Sequence, residues 1–138
     1  HYDSSLGYRI AMWDVGLHGI AERPLLGHGT GAAAGYFEKT IQSYKEGRYK
    51  DLPRFQETAH YHNDWIEIGM HLGLLGMSAL VFLFWSWYRT LEKNNLAILG
   101  VGLMSYVLVA GLADTFLIFS RISLFLLMMT AIAMRWRE

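Results

Sequence analysis

His60, His62, Asn63, Asp64 and Glu67 share one short polar stretch that runs straight into the first long apolar run of the chain. Imidazoles and carboxylates at this density can move protons. A neutral imidazole beside an anion-binding point is what a general base needs when its substrate carries phosphate. The local pattern supplies such a point. Asp64 followed three residues later by Glu67 reads as a capping box, which starts a helix at about Trp65 and leaves His62 and Asn63 just outside it. A helix N-terminus favours a nearby anion and disfavours a protonated imidazole. His62 is therefore the candidate base, with Asn63 or Glu67 setting its tautomer and lining the substrate. The competing reading is a surface histidine followed by an asparagine N-cap.

Two further stretches bear on phosphate. Arg9 stands on a segment, residues 5–22, whose Leu6, Ile10, Trp13, Leu17 and Ile20 recur at helical spacing, and its guanidinium can grip a phosphate with two parallel hydrogen bonds. A solvated arginine on a polar helix face is the alternative. Pro24 ends that helix by disfavouring helical geometry at Arg23, and Ser4 or Ser5 caps its start. The next stretch, Pro24-Leu25-Leu26-Gly27-His28-Gly29-Thr30-Gly31, has glycine at alternate positions. It matches neither a P-loop nor a dinucleotide fingerprint. Gly29 at its centre offers a backbone amide to phosphate if the loop is a nest, whereas a tight turn returning the chain across a membrane face is the other reading. For metals the signal is thin. His60 and His62 with His28 lack a recognisable ligand spacing, no Asp-x-Asp cluster is present, and neither a metal nor another cofactor is expected.

The elements that must position these groups are helical. After 5–22, a short helix is expected around Phe37 to Lys45, broken at Gly47 and Pro53. Three apolar runs follow at about 69–88, 96–113 and 116–134, each near the length that crosses hydrocarbon as a helix. A polar turn, Arg89 to Asn95, joins the first two, and Asp114-Thr115 joins the last two. The expected class is all-α: a polytopic membrane protein fragment with a large extracytoplasmic loop, residues 1–68, ahead of three transmembrane helices in 69–138. Arg89, Lys93, Arg135 and Arg137 mark the cytoplasmic side. Gly69, Gly73 and Gly76 stack on one face, where a neighbouring helix can approach closely. Arg121 inside the third run must pair with Asp114, snorkel outward or add positive charge near the His62 loop. His71 is expected to pack against a neighbour.

Composition narrows the classes. Over half the residues are hydrophobic (53%) and mean hydropathy is positive, which favours a membrane protein over a soluble core. The formal net charge is zero and the basic residues form no stripe, so no nucleic-acid partner is expected. There is no cysteine, which removes thiol chemistry. The start at His1 carries no basic and apolar leader pattern, and a piece of a longer polytopic chain is expected.

Taken in order, these motifs resemble a known family. His62-Asn63, nine residues, Gly73 and then Gly76, after Arg9 with Trp13 and the Pro24-Leu25-Leu26-Gly27-His28-Gly29-Thr30-Gly31 stretch, are similar to the pattern of the O-antigen ligase family of bacterial membrane glycosyltransferases. One departure is Trp13, where the family pattern carries leucine. The resemblance implies a C-terminal portion of an inner-membrane protein whose missing N-terminal helices pack on this one. It also implies transfer of a glycan from an undecaprenyl-diphosphate carrier to a hydroxyl of lipid A-core at the periplasmic face, without a metal. Relatives polymerise repeat units or glycosylate proteins from the same donor, and a non-catalytic membrane subunit is the reading from another class. His62 would then be the base, and Arg9 would hold the diphosphate.

The charge pattern gives a topology test. An extracytoplasm-only reporter fused at Gly47 is expected to be active and one fused at Asn94 silent, and the opposite pattern would invert the layout.

Overall fold

The computed structural model describes residues 4–50, 60–115, 117 and 120–135, and among these it is all-helical. The expected break at Pro53 lies outside the described residues. Helix α1, Ser5–Glu22, begins where expected: Ser4 is its N-cap and accepts from the Gly7 amide at 3.0 Å. It ends at Arg23 ahead of Pro24. Helix α2, Ala32–Ile41, starts five residues earlier than the sequence suggests, and a short 3-10 turn follows at Tyr44–Gly47.

Helix α3, Asp64–Lys93, is 30 residues long and passes without interruption over the expected division at 68/69. It continues through Arg89 to Lys93, so the expected polar turn shrinks to Asn94 to Leu96 before helix α4, Ala97–Ala113. Charged residues at 89–93 are compatible with helix, and Arg89 pairs with Glu92 along it at 2.6 Å. Helix α5, Ser120–Arg135, completes the order. Among the described residues only α3 is both long and apolar enough to cross a membrane by itself, whereas α4 and α5 are shorter apolar helices.

Two cores hold these elements. One joins α1, α2 and the start of α3 through Ala11, Met12, Val15, Phe37, Tyr61, Ile66 and Met70. The other joins α3, α4 and α5 through Leu80, Phe84, Val107 and Leu126, with Trp87 Nε1 donating to Thr130 Oγ1 at 3.1 Å. The first core uses a face of α1 other than most of the apolar stripe. Its buried residues are Gly7, Ala11, Met12, Val15, Gly16 and Gly19, while Leu6, Ile10 and Leu17 of the apolar stripe point outward. Small residues let α1 lie close to α3, where Ile66 covers Gly16, Met70 covers Gly19, and Ile20 covers Gly69. Leu6, Ile10 and Leu17 then face away from the protein, whereas Met12, Trp13 and Ile20 pack on it. Asp14 fastens the 3-10 turn to the same helix, accepting from Lys45, Tyr49 and Tyr44. Burial pushes the Asp14 carboxyl up, but those three donors outweigh it and hold it below its ordinary value.

The glycine-rich loop is neither nest nor simple turn. At Gly73 α3 breaks, with φ 62° and ψ −157°, a backbone conformation open essentially to glycine alone. The regular bonds from Leu74 to Met70 and from Leu75 to His71 are replaced by four others. Met70 O accepts from His28 N at 2.7 Å and His71 O from Gly29 N at 3.0 Å, while Leu74 N donates to Pro24 O at 2.7 Å and Leu75 N to Leu25 O at 3.2 Å. The loop is thus stitched into the gap in the helix, pairing Met70 O, His71 O, Leu74 N and Leu75 N. Gly73 admits loop backbone here, and Gly69 admits α1.

A Cβ at Gly73 would stand 2.5 Å from the Leu25 carbonyl. Gly73→Ala is expected to lower the melting temperature of the full-length protein, the backbone conformation alone costing about 1–3 kcal/mol. Gly35→Ala, in an exposed stretch of α2 with nothing within 4 Å, is expected to leave it unchanged or raise it.

Candidate functional site

The site forms where the N-terminus of α3 meets the C-terminus of α4. Asn63 is the N-cap of α3, its side-chain oxygen accepting from Trp65 N at 3.0 Å and Ile66 N at 3.1 Å. The cap therefore lies one residue before the expected Asp64. Asp64 is instead buried, and it accepts from Leu117 N at 3.1 Å. Asn63 also spans the two helices: its amide donates to Thr115 Oγ1 at 2.8 Å and its Nδ2 to Leu112 O at 3.1 Å. With α3 tied in this way to the end of α4, His62 projects from a positive-φ position, φ 50°, toward the residue that follows α4.

That residue is Asp114. His62 Nδ1 lies 2.7 Å from Asp114 Oδ1, and Arg9 Nη2 of α1 lies 3.7 Å from Asp114 Oδ2. Arg9 also donates to Ala113 O, the last carbonyl of α4. One carboxylate therefore joins the two residues singled out in the sequence, 53 positions apart. Burial pushes the Asp114 carboxyl up, but the hydrogen bonds from His62 and the Thr115 amide, with the charge of Arg9, outweigh it and keep the group below its ordinary value. An ionised carboxylate only accepts, so the proton in this contact belongs to His62 Nδ1, and in the neutral ring the lone pair stands on Nε2. Asp114, rather than Asn63 or Glu67, sets the tautomer.

The other expected site residues are placed as follows. Glu67 is buried and fully engaged: Oε2 accepts from Tyr61 N at 2.8 Å, and Oε1 lies 2.8 Å from His71 Nε2. His71 Nδ1 in turn faces Gly29 O at 2.9 Å. Gly29 thus uses both its amide and its carbonyl within the stitch. The expected contact between Arg121 and Asp114 lies outside the described side chains. His28 is held at Gly19 O, 2.8 Å away, and is not part of the His60 and His62 cluster. Beside His62 stands His60, with ring centroids 4.2 Å apart. Burial, and next the neighbouring His62, hold the His60 ring below its ordinary value and hence neutral.

Asp114 is the participant that sequence spacing missed. An acidic side chain at a helix C-terminus opposes the helix dipole, and that mismatch is the signal that could have marked it. Arg9 at the same end is favoured by the dipole. Both Arg9 and His62 are 30% exposed, so the group is open to a ligand while its geometry is fixed from behind.

The arrangement can place an imidazole base next to an arginine. A family model described as O-antigen ligase matches residues 1–81, which include Arg9, the stitched loop, His62, Gly73 and Gly76. The chain belongs to the O-antigen ligase family. No curated protein and no solved structure matches it. The family is one of bacterial inner-membrane proteins with a general ligase or polymerase function in lipopolysaccharide assembly. An inner-membrane setting accounts for the exposed Phe82, Trp85, Ile98, Val109 and Phe125 on α3, α4 and α5. Asp114 lies beyond the matched residues, so its part in the site comes from the geometry alone.

Proposed function

We propose that this chain carries the catalytic end of a glycan ligase that transfers a glycan from an undecaprenyl-diphosphate donor to a hydroxyl of lipid A-core at the periplasmic face of the inner membrane. The observation that supports the reading most is the shared carboxylate: His62 at 2.7 Å and Arg9 at 3.7 Å on opposite oxygens of Asp114. In a family of this activity, a base and a phosphate-binding cation held at a common point are the two groups the reaction requires.

The acceptor hydroxyl gives its proton to His62 Nε2 as its oxygen bonds to the anomeric carbon. The bond from that carbon to the phosphate oxygen breaks, and the electron pair leaves with undecaprenyl diphosphate. A single displacement of this kind inverts the anomeric centre. Asp114 keeps the ring in the reactive tautomer and stabilises the imidazolium that forms, as the carboxylate does in other His–carboxylate pairs. Negative charge grows on the leaving diphosphate and is met by the Arg9 guanidinium, whose five N–H donors are not exhausted by Ala113 O and Asp114. Arg121, near the start of α5, is a further source of positive charge. No metal is needed for this step. Asn63, Glu67 and Gly29 act from behind as positioning residues. The three apolar helices span the membrane together with helices from elsewhere in the full-length protein, and the exposed stripe of α1 rests at the bilayer interface.

In a strain whose only copy is the variant, His62→Ala is expected to reduce glycan-capped lipopolysaccharide on a gel in line with a roughly 10²–10⁴-fold loss of rate, the usual contribution of a general base. Asp114→Asn is expected to be similarly impaired at unchanged protein level, and Arg9→Lys not to restore the rate, because lysine lacks the two-pronged geometry. Normal capping by His62→Ala would end the base assignment.

A further inference from the structure

We propose that His60, His62 and Asp114 form a binding site for a divalent transition-metal ion, zinc above all, and that an ion bound there switches the base off. One ligand atom from each residue lies within 4.8 Å of the other two. Zinc bonds of about 2.0–2.1 Å in tetrahedral geometry need donor atoms roughly 3.3 Å apart, so modest side-chain rotations close the set. The two imidazole rings meet edge to face, 64° between planes at 4.2 Å, which lets their nitrogens converge where stacked rings would not.

The supports are rigid on both sides. His60 and His62 precede the capped start of α3, and Asp114 is fixed by the bond from its own amide to Ala110 O and by the Thr115 amide on Oδ1. Two imidazoles and one carboxylate suit zinc, whereas magnesium and calcium require many more oxygen donors. Arg9 weakens the site by its charge but lies on the opposite oxygen, Oδ2, which leaves Oδ1 and the two rings facing the ion. A fourth position stays open to water.

Either nitrogen of His62 gives the same functional result. If Nε2 binds the ion, its lone pair is used. If Nδ1 binds, the ring proton moves to Nε2. In both cases no free lone pair faces the acceptor hydroxyl. This inhibitory half rests on the base reading of His62, whereas binding of the ion does not. His60 has no part in the transfer step, so it separates the two.

The test uses tag-free full-length protein in detergent, titrated calorimetrically with Zn2+ alone and with Mg2+ alone, alongside a transfer assay. Zn2+ is expected to bind and Mg2+ not. His60→Ala is expected to lose at least about tenfold in zinc affinity, more than an outer-shell change would cost, while keeping zinc-free transfer and becoming insensitive to added zinc. His60→Gln serves as a second variant, with the melting temperature of each checked, and is expected to behave in the same way. Equal zinc affinity in a folded His60 variant, or no zinc binding by the parent protein, would overturn the site and leave the base reading untouched. His60-dependent binding with no loss of transfer would uphold the ion site and overturn the inhibition, and with it the base role of His62.

Discussion

The break in α3 at Gly73 is the constraint on which the rest of the structure depends. Without the loop, Met70 O, His71 O, Leu74 N and Leu75 N would be stranded in apolar surroundings. Leaving one such group unsatisfied costs about 1–3 kcal/mol, and more within hydrocarbon. The loop from Pro24 to Gly29 meets all four. It cannot leave without uncovering them, so the end of α1 stays attached to the middle of α3. His71 adds a side-chain clasp, bridging Gly29 O to Glu67, and Glu67 carries the link on to the Tyr61 amide next to His62. A backbone defect in one helix thereby fixes the loop that bears the base.

With α1 held along the first turns of α3, Arg9 reaches the far end of α4, and His62 reaches it from the other side. They meet at Asp114, which is poorly placed by local rules because it sits at the negative pole of α4. Its low proton affinity follows from His62, the Thr115 amide and Arg9, which together outweigh burial. A local rule broken at a point where three separate elements converge is the pattern expected of a functional site. The same convergence brings His60 into reach of Asp114 and so makes an ion site possible at the base itself.

Much of this was legible in the sequence, and the remainder was not for identifiable reasons. Helical periodicity and terminal signals gave α1 nearly to the residue, since Ser4 and Pro24 are local cues. The same periodicity marked Leu6, Ile10 and Leu17 as one apolar face, but gave no sign of which residues α1 packs with. Close helix contact here uses Gly16 and Gly19, and Leu6, Ile10 and Leu17 face outward. Glycines at 27, 29 and 73 were visible as special, but only three dimensions show that they belong to one feature. Asn63 as an N-cap was a live alternative to Asp64, and the offset of one residue turned on which side chain the Leu117 amide would claim. His62 and Arg9 were legible from residue type and order. Asp114 was not, because a pairing between distant residues leaves no trace in local spacing, and Arg121 offered it a nearer partner.

Whether Asp114 holds His62 as a base with its lone pair on Nε2 can be read directly from imidazole nitrogen shifts of 15N-histidine-labelled full-length protein, with the His62 signals assigned by His62→Gln. In the neutral form of the ring the predicted result is a protonated Nδ1 and an unprotonated Nε2, with that preference lost in Asp114→Ala. A His62 ring with its proton on Nε2, or a tautomer indifferent to Asp114→Ala, would contradict the assignment of Asp114 as its partner and of His62 as the base.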